Sequence, residues 1–152
     1  MDQGFTRERF LGSPGGSFYI GPDTLPSTDR LPALTTSGAR DLAAARLAAT
    51  DPRMFKAQAE RRAFERLEGQ VRLSRYGLDC YAYCMLAAGH IDLVVESSLK
   101  PYDIQALIPI VEGAGGVISS WQGGSAQQGG QVIAAASPAL HAEALTILQG
   151  AY

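Results

Sequence analysis

The sequence predicts a layered α/β fold, in which helices pack against a sheet. Strand-forming and helix-forming segments alternate along most of the chain, and glycines stand between many of them. Of the 152 residues, 46% are hydrophobic, which is enough for a packed core and argues against disorder. We therefore expect one domain, or one half of a larger one.

The first half of the chain is predicted to begin with strands and to continue with helices. Residues 1–20 should form two strands around the turn Ser13-Pro14-Gly15-Gly16, and the proline-containing segment 21–32 a surface loop. A short helix is predicted at 39–44, after which residues 46–50 fit either a continued helix or a strand. Apolar residues at three- and four-residue steps predict a helix at 54–67, with Gly69 at its end.

The second half is predicted to alternate between strands and helices, except for two successive strands near its end. A strand at 71–74 precedes a helix at 79–88 that is apolar nearly all round, so this helix should be buried between layers. A strand at 91–95 should lead into a loop that holds Glu96. Next comes a helix at 102–111, kinked at Pro109. The remaining elements are strands at 117–121 and 132–136, a loop at 122–130 between them, and a last helix at 138–148.

Charge and composition exclude several classes of function. The net charge of -2 leaves no basic excess for binding nucleic acid. No run approaches the ~20 apolar residues of a membrane span, and the first residues lack a secretory pattern, so we expect a cytoplasmic protein. Cys80 and Cys84 lie four residues apart without a second cysteine or histidine pair, so they are interpreted as small core residues and not as zinc ligands.

Three carboxylates stand at positions that suit chemistry as well as structure. Glu96 and Asp103 flank a loop that leads into a predicted helix, and Asp79 begins another helix. A carboxylate in the first turn of a helix can cap backbone N–H groups. Asp103 can equally be an oxygen ligand of Mg²⁺. The residue pattern by itself leaves both interpretations open.

The segment from 76 to 121 resembles the inositol monophosphatase family. That family carries Trp-Asp, apolar residues and then Glu-Ala-Gly-Gly; here Tyr102-Asp103 precedes an apolar run and Glu112-Gly113-Ala114-Gly115-Gly116. Two further stretches are similar to the family's buried helix and the strand after it: Gly77-Leu78-Asp79-Cys80-Tyr81-Ala82-Tyr83 and Ala88-Gly89-His90-Ile91-Asp92. The departures at 102 and 113, together with Asp79 and Lys100-Pro101-Tyr102, are similar to the histidinol-phosphatase branch.

The resemblance implies a fold, an activity and a set of site residues. It implies the C-terminal part of the family's layered αβαβα sandwich and Mg²⁺-dependent hydrolysis of a small phosphomonoester, with histidinol phosphate as the substrate. Asp103 corresponds to a metal ligand, and the matching substrate-binding positions are Gly77, Leu78, Asp79 and Glu96. A carboxylate at Asp79 suits the protonated amine of histidinol phosphate.

Other residues of the family's metal site have no counterpart in this sequence. The family's Asp-Pro-Ile-Asp-Gly-Thr segment and an upstream glutamate are absent, and Asp51-Pro52 is followed by Arg53-Met54 instead. We therefore expect residues 1–152 to be the C-terminal portion of a phosphatase domain, without its N-terminal metal-binding half. Such a chain should bind metal weakly, turn over negligibly, and associate with itself or with a complementing N-terminal segment.

Two alternatives to a histidinol phosphatase stay open. One is an inositol-1-monophosphatase or related small phosphatase. The other is a non-catalytic protein that binds a ligand or a partner through the inherited fold.

Overall fold

A computed structural model of the chain describes residues 1–23 and 31–150. The described residues form a three-stranded and a five-stranded sheet together with five α-helices. The small sheet contains β1 (Asp2–Gln3), β2 (Glu8–Ser13) and β3 (Gly16–Ile20). The large sheet contains β4 (Arg46–Ala49), β5 (Leu73–Tyr76), β6 (Leu93–Leu99), β7 (Val117–Ser120) and β8 (Gly130–Ala135). The helices are α1 (Gln58–Glu68), α2 (Cys80–Ala87), α3 (Pro101–Ile104), α4 (Ile108–Gly113) and α5 (Pro138–Gln149).

The large sheet is mixed, with the strand order β5-β4-β6-β8-β7. Strand β4 runs parallel to β5 and β6, whereas β8 runs antiparallel to β6 and β7. The carboxyl ends of β5, β4 and β6 therefore meet at one edge of the sheet. In α/β sheets this edge is where ligands bind.

Two apolar clusters, one on each face of the large sheet, make the core. Successive residues of β6 alternate between them, so Val94 belongs to the cluster with α2 and α4, and Val95 to the cluster with α1 and α5. The small sheet packs on α4 and, through Phe10, on α2. The layers are thus the small sheet, α2 with α4, the large sheet, and α1 with α5. The predicted α/β architecture is confirmed, as is the burial of α2 between layers.

The first half of the chain corrects several predicted boundaries. The two predicted strands are β2 and β3, and the short β1 pairs with β2. The helix predicted at 39–44 is only the 3₁₀ turn Leu42–Ala44, in which Asp41 accepts a hydrogen bond from the Ala43 N–H at 2.9 Å. Residues 46–49 are a strand, not a continued helix. Most of the loop predicted at 21–32 lies outside the described residues.

Helix α1 begins later than predicted because the chain leaves helical geometry at Phe55, which has a φ of -79° and a ψ of 81°. Pro52–Met54 form a separate 3₁₀ turn, and α1 starts at Gln58. The strand predicted at 71–74 is β5, shifted toward the carboxyl end. The last helix, α5, is capped by Ser137, whose Oγ accepts a hydrogen bond from the Leu140 N–H.

The segment around Glu96 differs most from prediction. Glu96 lies within β6 and not in a loop after it, because β6 continues to Leu99 through an irregularity between Glu96 and Leu99. The helix predicted at 102–111 is divided into α3 and α4. Proline lacks an N–H and its ring clashes with the carbonyl four residues earlier, so Pro109 breaks the helix on its amino side, where kinking was predicted.

Candidate functional site

A cavity of about 400 Å³ opens at the carboxyl ends of β5, β4 and β6. Its acidic lining residues are Asp79, Glu96 and Asp103, three of the predicted site residues. Its apolar lining consists of Met54, Leu99 and Tyr102, and Thr50, Cys80 and Tyr83 complete the wall. Residues far apart in the sequence therefore share one concave site.

Strand register brings Thr50 next to Glu96. Ala48 of β4 is the partner of Val94 in β6, so two residues further along both strands Thr50 comes level with Glu96 on the same face. The Thr50 hydroxyl donates a hydrogen bond to Glu96 Oε1. On that face lies α2, from which the Tyr83 hydroxyl donates to Glu96 Oε2 at 2.8 Å. Both carboxylate oxygens of Glu96 are thus hydrogen-bonded within the protein.

Burial dominates the electrostatics of Glu96. The residue is 2% exposed, and desolvation raises the pKa of its carboxyl above the ordinary value, against the lowering effect of the hydrogen bonds from Thr50 and Tyr83. The pKa of Tyr83 is raised well above its ordinary value, because the phenol is buried and faces the Glu96 charge. Tyr83 therefore remains a hydrogen-bond donor.

Asp79 has a strained backbone at the entrance of α2. Its φ of 47° and ψ of -137° lie in a region that favours glycine. Such a conformation costs roughly 1–3 kcal/mol and is concentrated at functional sites. Asp79 occupies the N-cap position of α2, yet its side chain makes no cap hydrogen bond and lines the cavity. The structure thus does not support the interpretation of Asp79 as a helix cap.

Asp103 has the capping role that the sequence left open for it, and its role as a metal ligand stays a prediction. Its Oδ2 accepts a hydrogen bond from the Lys100 N–H at 2.7 Å, so the carboxylate caps α3. Asp103 is nevertheless exposed and lines the cavity. Among residues 1–23 and 31–150, no side-chain or backbone donor is seen for Oδ1. One oxygen is therefore structural, and the other is open to a ligand.

The donors suit Mg²⁺ in type but not in number. Carboxylate oxygens are its preferred protein ligands, and the ion usually retains several waters. Within the described part of the chain, no group of three or more histidine, cysteine, aspartate or glutamate side chains could hold a metal ion. Asp103 can supply one ligand, and the described residues do not form a complete magnesium site by themselves.

The remaining predicted residues frame the cavity without lining it. Gly77 follows β5 with a φ of 88°, which turns the chain toward α2. Leu78 is half-buried and packs against the cluster between α2 and α4. Their assignment as substrate contacts stays a prediction. The interpretation of both cysteines as core residues is wrong for Cys80, which is exposed at the cavity. Cys84 is buried, as expected of a core residue.

Thr50 and Tyr83 are the site residues that sequence reasoning missed. Thr50 stood in a segment whose strand character was undecided. Tyr83 stood in a wholly apolar helix, but a buried tyrosine hydroxyl requires a hydrogen-bond partner, and that signal was available. The irregularity after Glu96, where Ser98 has a φ of 64°, could not be predicted from the residue pattern. Strand irregularities of this kind often re-aim side chains next to a site.

The lining of the cavity is electronegative. It contains three carboxylates and no lysine, arginine or histidine among the described residues. A cavity lined by one sign of charge concentrates ligands of the opposite sign. The cavity is therefore suited to cationic groups, such as a metal ion or an ammonium group.

Comparison with known proteins agrees with this geometry. Residues 15–151 match the model of the inositol monophosphatase family. The chain is 40% identical over 123 residues to the chloroplastic bifunctional phosphatase IMPL2 of Arabidopsis thaliana, a match that covers 81% of this chain and 33% of the plant protein. It is 36% identical over 77 residues to the histidinol-phosphatase of Mycobacterium tuberculosis, covering 51% of this chain and 29% of that protein.

Solved structures show the same fold. An inositol monophosphatase from Zymomonas mobilis superimposes with a TM-score of 0.86 and 34% identity, covering 97% of this chain and 55% of that one. The chain thus spans a third or less of these curated relatives and about half of the solved structure. Each helix of the described residues is too short or too polar to span a membrane. With its motifs, fold and cavity in agreement, the chain belongs to the inositol monophosphatase family.

Proposed function

We propose that this chain is part of a Mg²⁺-dependent phosphomonoesterase whose substrate is histidinol phosphate. The observation that carries the proposal is the convergence of Asp79, Glu96 and Asp103 on one cavity without a lining cation. A phosphomonoester with a protonated amine needs negative charge at two places. A metal must bind beside the phosphate, and a carboxylate must meet the amine.

Asp103 is the proposed metal ligand. Its Oδ2 is held by the Lys100 N–H, which fixes one oxygen of this cavity-lining carboxylate and leaves Oδ1 available to a ligand. Bound Mg²⁺ would supply Lewis-acid chemistry, lowering the pKa of a water and neutralising the charge of the leaving oxygen. The contribution of Asp103 is to hold the metal in position through one oriented oxygen.

Asp79 and Glu96 are the proposed acceptors for the substrate's ammonium and hydroxyl groups. Charge-assisted hydrogen bonds are roughly twice as strong as neutral ones, so a carboxylate at 79 favours an amine over a neutral polyol. The strained backbone of Asp79 supports a functional role, because strain of this kind persists where the surrounding structure and function require it. The similarity over part of the chain to the histidinol-phosphatase of M. tuberculosis also supports an amine-bearing substrate.

We also propose that the rest of the metal site comes from outside this sequence. The described residues contribute Asp103 and no cluster of three ligating side chains. Association has a visible basis in the small sheet, whose outer side exposes Leu11, with Phe5 exposed in the turn before β2. A complementing N-terminal segment, or a second copy, would cover these side chains.

The test is release of phosphate from histidinol phosphate and, in parallel, from inositol 1-phosphate. Both are measured with Mg²⁺ and with a chelator, for residues 1–152 alone and for the chain joined to its upstream segment. We expect Mg²⁺-dependent release by the joined protein with preference for histidinol phosphate, and negligible release by the chain alone. Preference for inositol 1-phosphate would identify the alternative substrate. Absence of any release by the joined protein would favour the non-catalytic alternative.

A further inference from the structure

The Glu96 carboxylate is held from two sides by hydroxyl groups. Thr50 donates to Oε1, and Tyr83 donates to Oε2 at 2.8 Å. The donors belong to different layers, since Thr50 directly follows β4 and Tyr83 lies in α2. One donor on each oxygen fixes the plane of the carboxylate, which a single donor leaves free to rotate. The arrangement is therefore directional as well as stabilising.

These two hydroxyls oppose the effect of burial. A buried carboxylate is costly unless it is hydrogen-bonded. Glu96 forms no ion pair with a lysine or arginine of the described residues, so its visible stabilising partners are the two hydroxyls and the backbone of Thr50. Each carboxylate oxygen can accept two hydrogen bonds. Capacity therefore remains on Glu96, which lines the cavity.

The other ionisable groups around Glu96 cannot replace the hydroxyls. From the turn before α2 comes Asp79, whose charge raises the pKa of Glu96; from α2 itself comes Cys80, and from α3 comes Asp103. All of them are acids. None can stabilise the negative charge of Glu96, so the neutral hydrogen-bond donors of Thr50 and Tyr83 are what favours the charged form of the carboxylate in this setting.

We infer that Thr50 and Tyr83 are positioning residues, which keep Glu96 ionised and aimed into the cavity so that it binds the ammonium group of the substrate. Neither side chain needs to touch the substrate for this role. The identity of the ammonium ligand rests on the proposed function. The orientation of the carboxylate rests on the geometry alone.

The chain offers a matched control on the same helix. The Tyr81 hydroxyl donates to Glu8 at 2.9 Å, on the side of α2 that faces the small sheet. Tyr81→Phe and Tyr83→Phe each remove one phenolic hydroxyl from α2 and its bond to a glutamate. Only Tyr83→Phe removes a donor from Glu96. Thr50→Val removes the other donor at constant shape, and Thr50→Ser retains it.

The first experiment follows the ionisation of Glu96 by carbon-13 NMR of labelled glutamate carboxyls, with Glu96→Gln for assignment. In Tyr83→Phe and in Thr50→Val we expect the titration midpoint to rise by about one pH unit, the equivalent of one lost hydrogen bond. Tyr81→Phe and Thr50→Ser should titrate like the wild type. Unchanged midpoints in both Tyr83→Phe and Thr50→Val would overturn the inference.

The second experiment measures binding of L-histidinol, which carries the amine without the phosphate, by calorimetry. We expect affinity to fall about tenfold in Tyr83→Phe and to stay unchanged in Tyr81→Phe. A shifted titration with unchanged histidinol affinity would overturn the positioning role. Absence of binding by the wild type would overturn both the assignment of an ammonium group as the ligand of Glu96 and the proposed substrate. The titration would still decide whether the Thr50 and Tyr83 hydroxyls favour the ionised form of Glu96.

Discussion

Helix α2 presents a tyrosine–glutamate pair on each of its two sides, and the pairs behave differently. Toward the large sheet, Tyr83 donates to Glu96; toward the small sheet, Tyr81 donates to Glu8. Tyr83 is 1% exposed, and Glu96 is equally buried. Glu8 is half-exposed and also accepts hydrogen bonds from Thr6 and Tyr19.

The two glutamates have pKa shifts of opposite sign. Hydrogen bonds from Thr6, Tyr19 and Tyr81 hold the pKa of Glu8 below its ordinary value, since little desolvation opposes them. Burial holds the pKa of Glu96 above its ordinary value in spite of two similar bonds. The same chemical pair therefore accompanies a lowered pKa at a half-exposed carboxylate on one side and a raised pKa at a buried carboxylate on the other, because only Glu96 is removed from water.

The largest expected effect is a loss of phosphate release when a carboxylate of the cavity is changed, compared with a carboxylate on the small-sheet side. Asp103→Asn keeps an amide oxygen that can accept the Lys100 N–H but removes the charge. We expect phosphate release by the joined protein with Mg²⁺ to fall at least about a hundredfold, roughly 2.7 kcal/mol of barrier. Glu8→Gln should stay within about twofold, as charge is not needed on that side. Similar losses in both variants would remove the functional distinction between the two sides.

Stability should distinguish the two glutamates next. Glu96→Ala leaves the Tyr83 hydroxyl buried without its acceptor, a cost of about 1–3 kcal/mol in the free energy of unfolding. Glu8→Ala frees hydroxyls that can bond water instead, and should cost less than about 1 kcal/mol. Urea unfolding followed by circular dichroism measures both. Equal losses would show that burial does not separate the pairs.

Asp79→Gly should raise the stability of the protein and at the same time weaken binding of L-histidinol in the cavity. Glycine adopts the φ of 47° without strain, so the variant should be more stable by about 1 kcal/mol, while its affinity for L-histidinol falls about tenfold. Asp79→Ala is the control, since it loses the charge and keeps the strain. It should bind as weakly as the glycine variant without the gain in stability. Unchanged affinity in either variant would contradict the ammonium contact.

The smallest expected effect is a pH dependence of opposite sign for the two glutamates. The pKa of Glu8 in the folded protein lies below its ordinary value of 4.5. The ionised side chain therefore contributes stability above pH 4.5, and this contribution is lost as the pH falls through the folded pKa. The raised pKa of Glu96 gives a penalty that is full above the folded pKa and disappears as the pH falls to 4.5.

Melting temperatures measured from pH 7 to pH 3 test this opposition. Relative to the wild type, Glu8→Gln should lose less stability below pH 4.5. Glu96→Gln should lack the gain that the wild type makes between its folded pKa and pH 4.5. Parallel curves for both variants would contradict the opposite shifts.

Local pattern predicted the elements better than it predicted their connections. The burial of α2 followed from its uniformly apolar residues, and the position of Asp103 in a first helical turn followed from Lys100-Pro101 before it. The residue pattern predicts a loop at Glu96, because the apolar run of β6 ends at Val95. Its true setting depends on β8, which pairs with Glu96 through Val132 and prolongs the strand. Pairing partners of this kind are not written in the local pattern.

The sequence by itself determined the α/β class, because periodicity and capping chemistry are local properties of the chain. Its motifs carry the family resemblance, and that resemblance implies the site carboxylates at 79, 96 and 103. Only the tertiary structure decided that Thr50 stands level with Glu96, that Tyr83 donates to the second carboxylate oxygen of Glu96, and that Asp79 lines the cavity instead of capping α2. Strand register and the packing of α2 on the sheet set those contacts, and both depend on residues far apart in the chain.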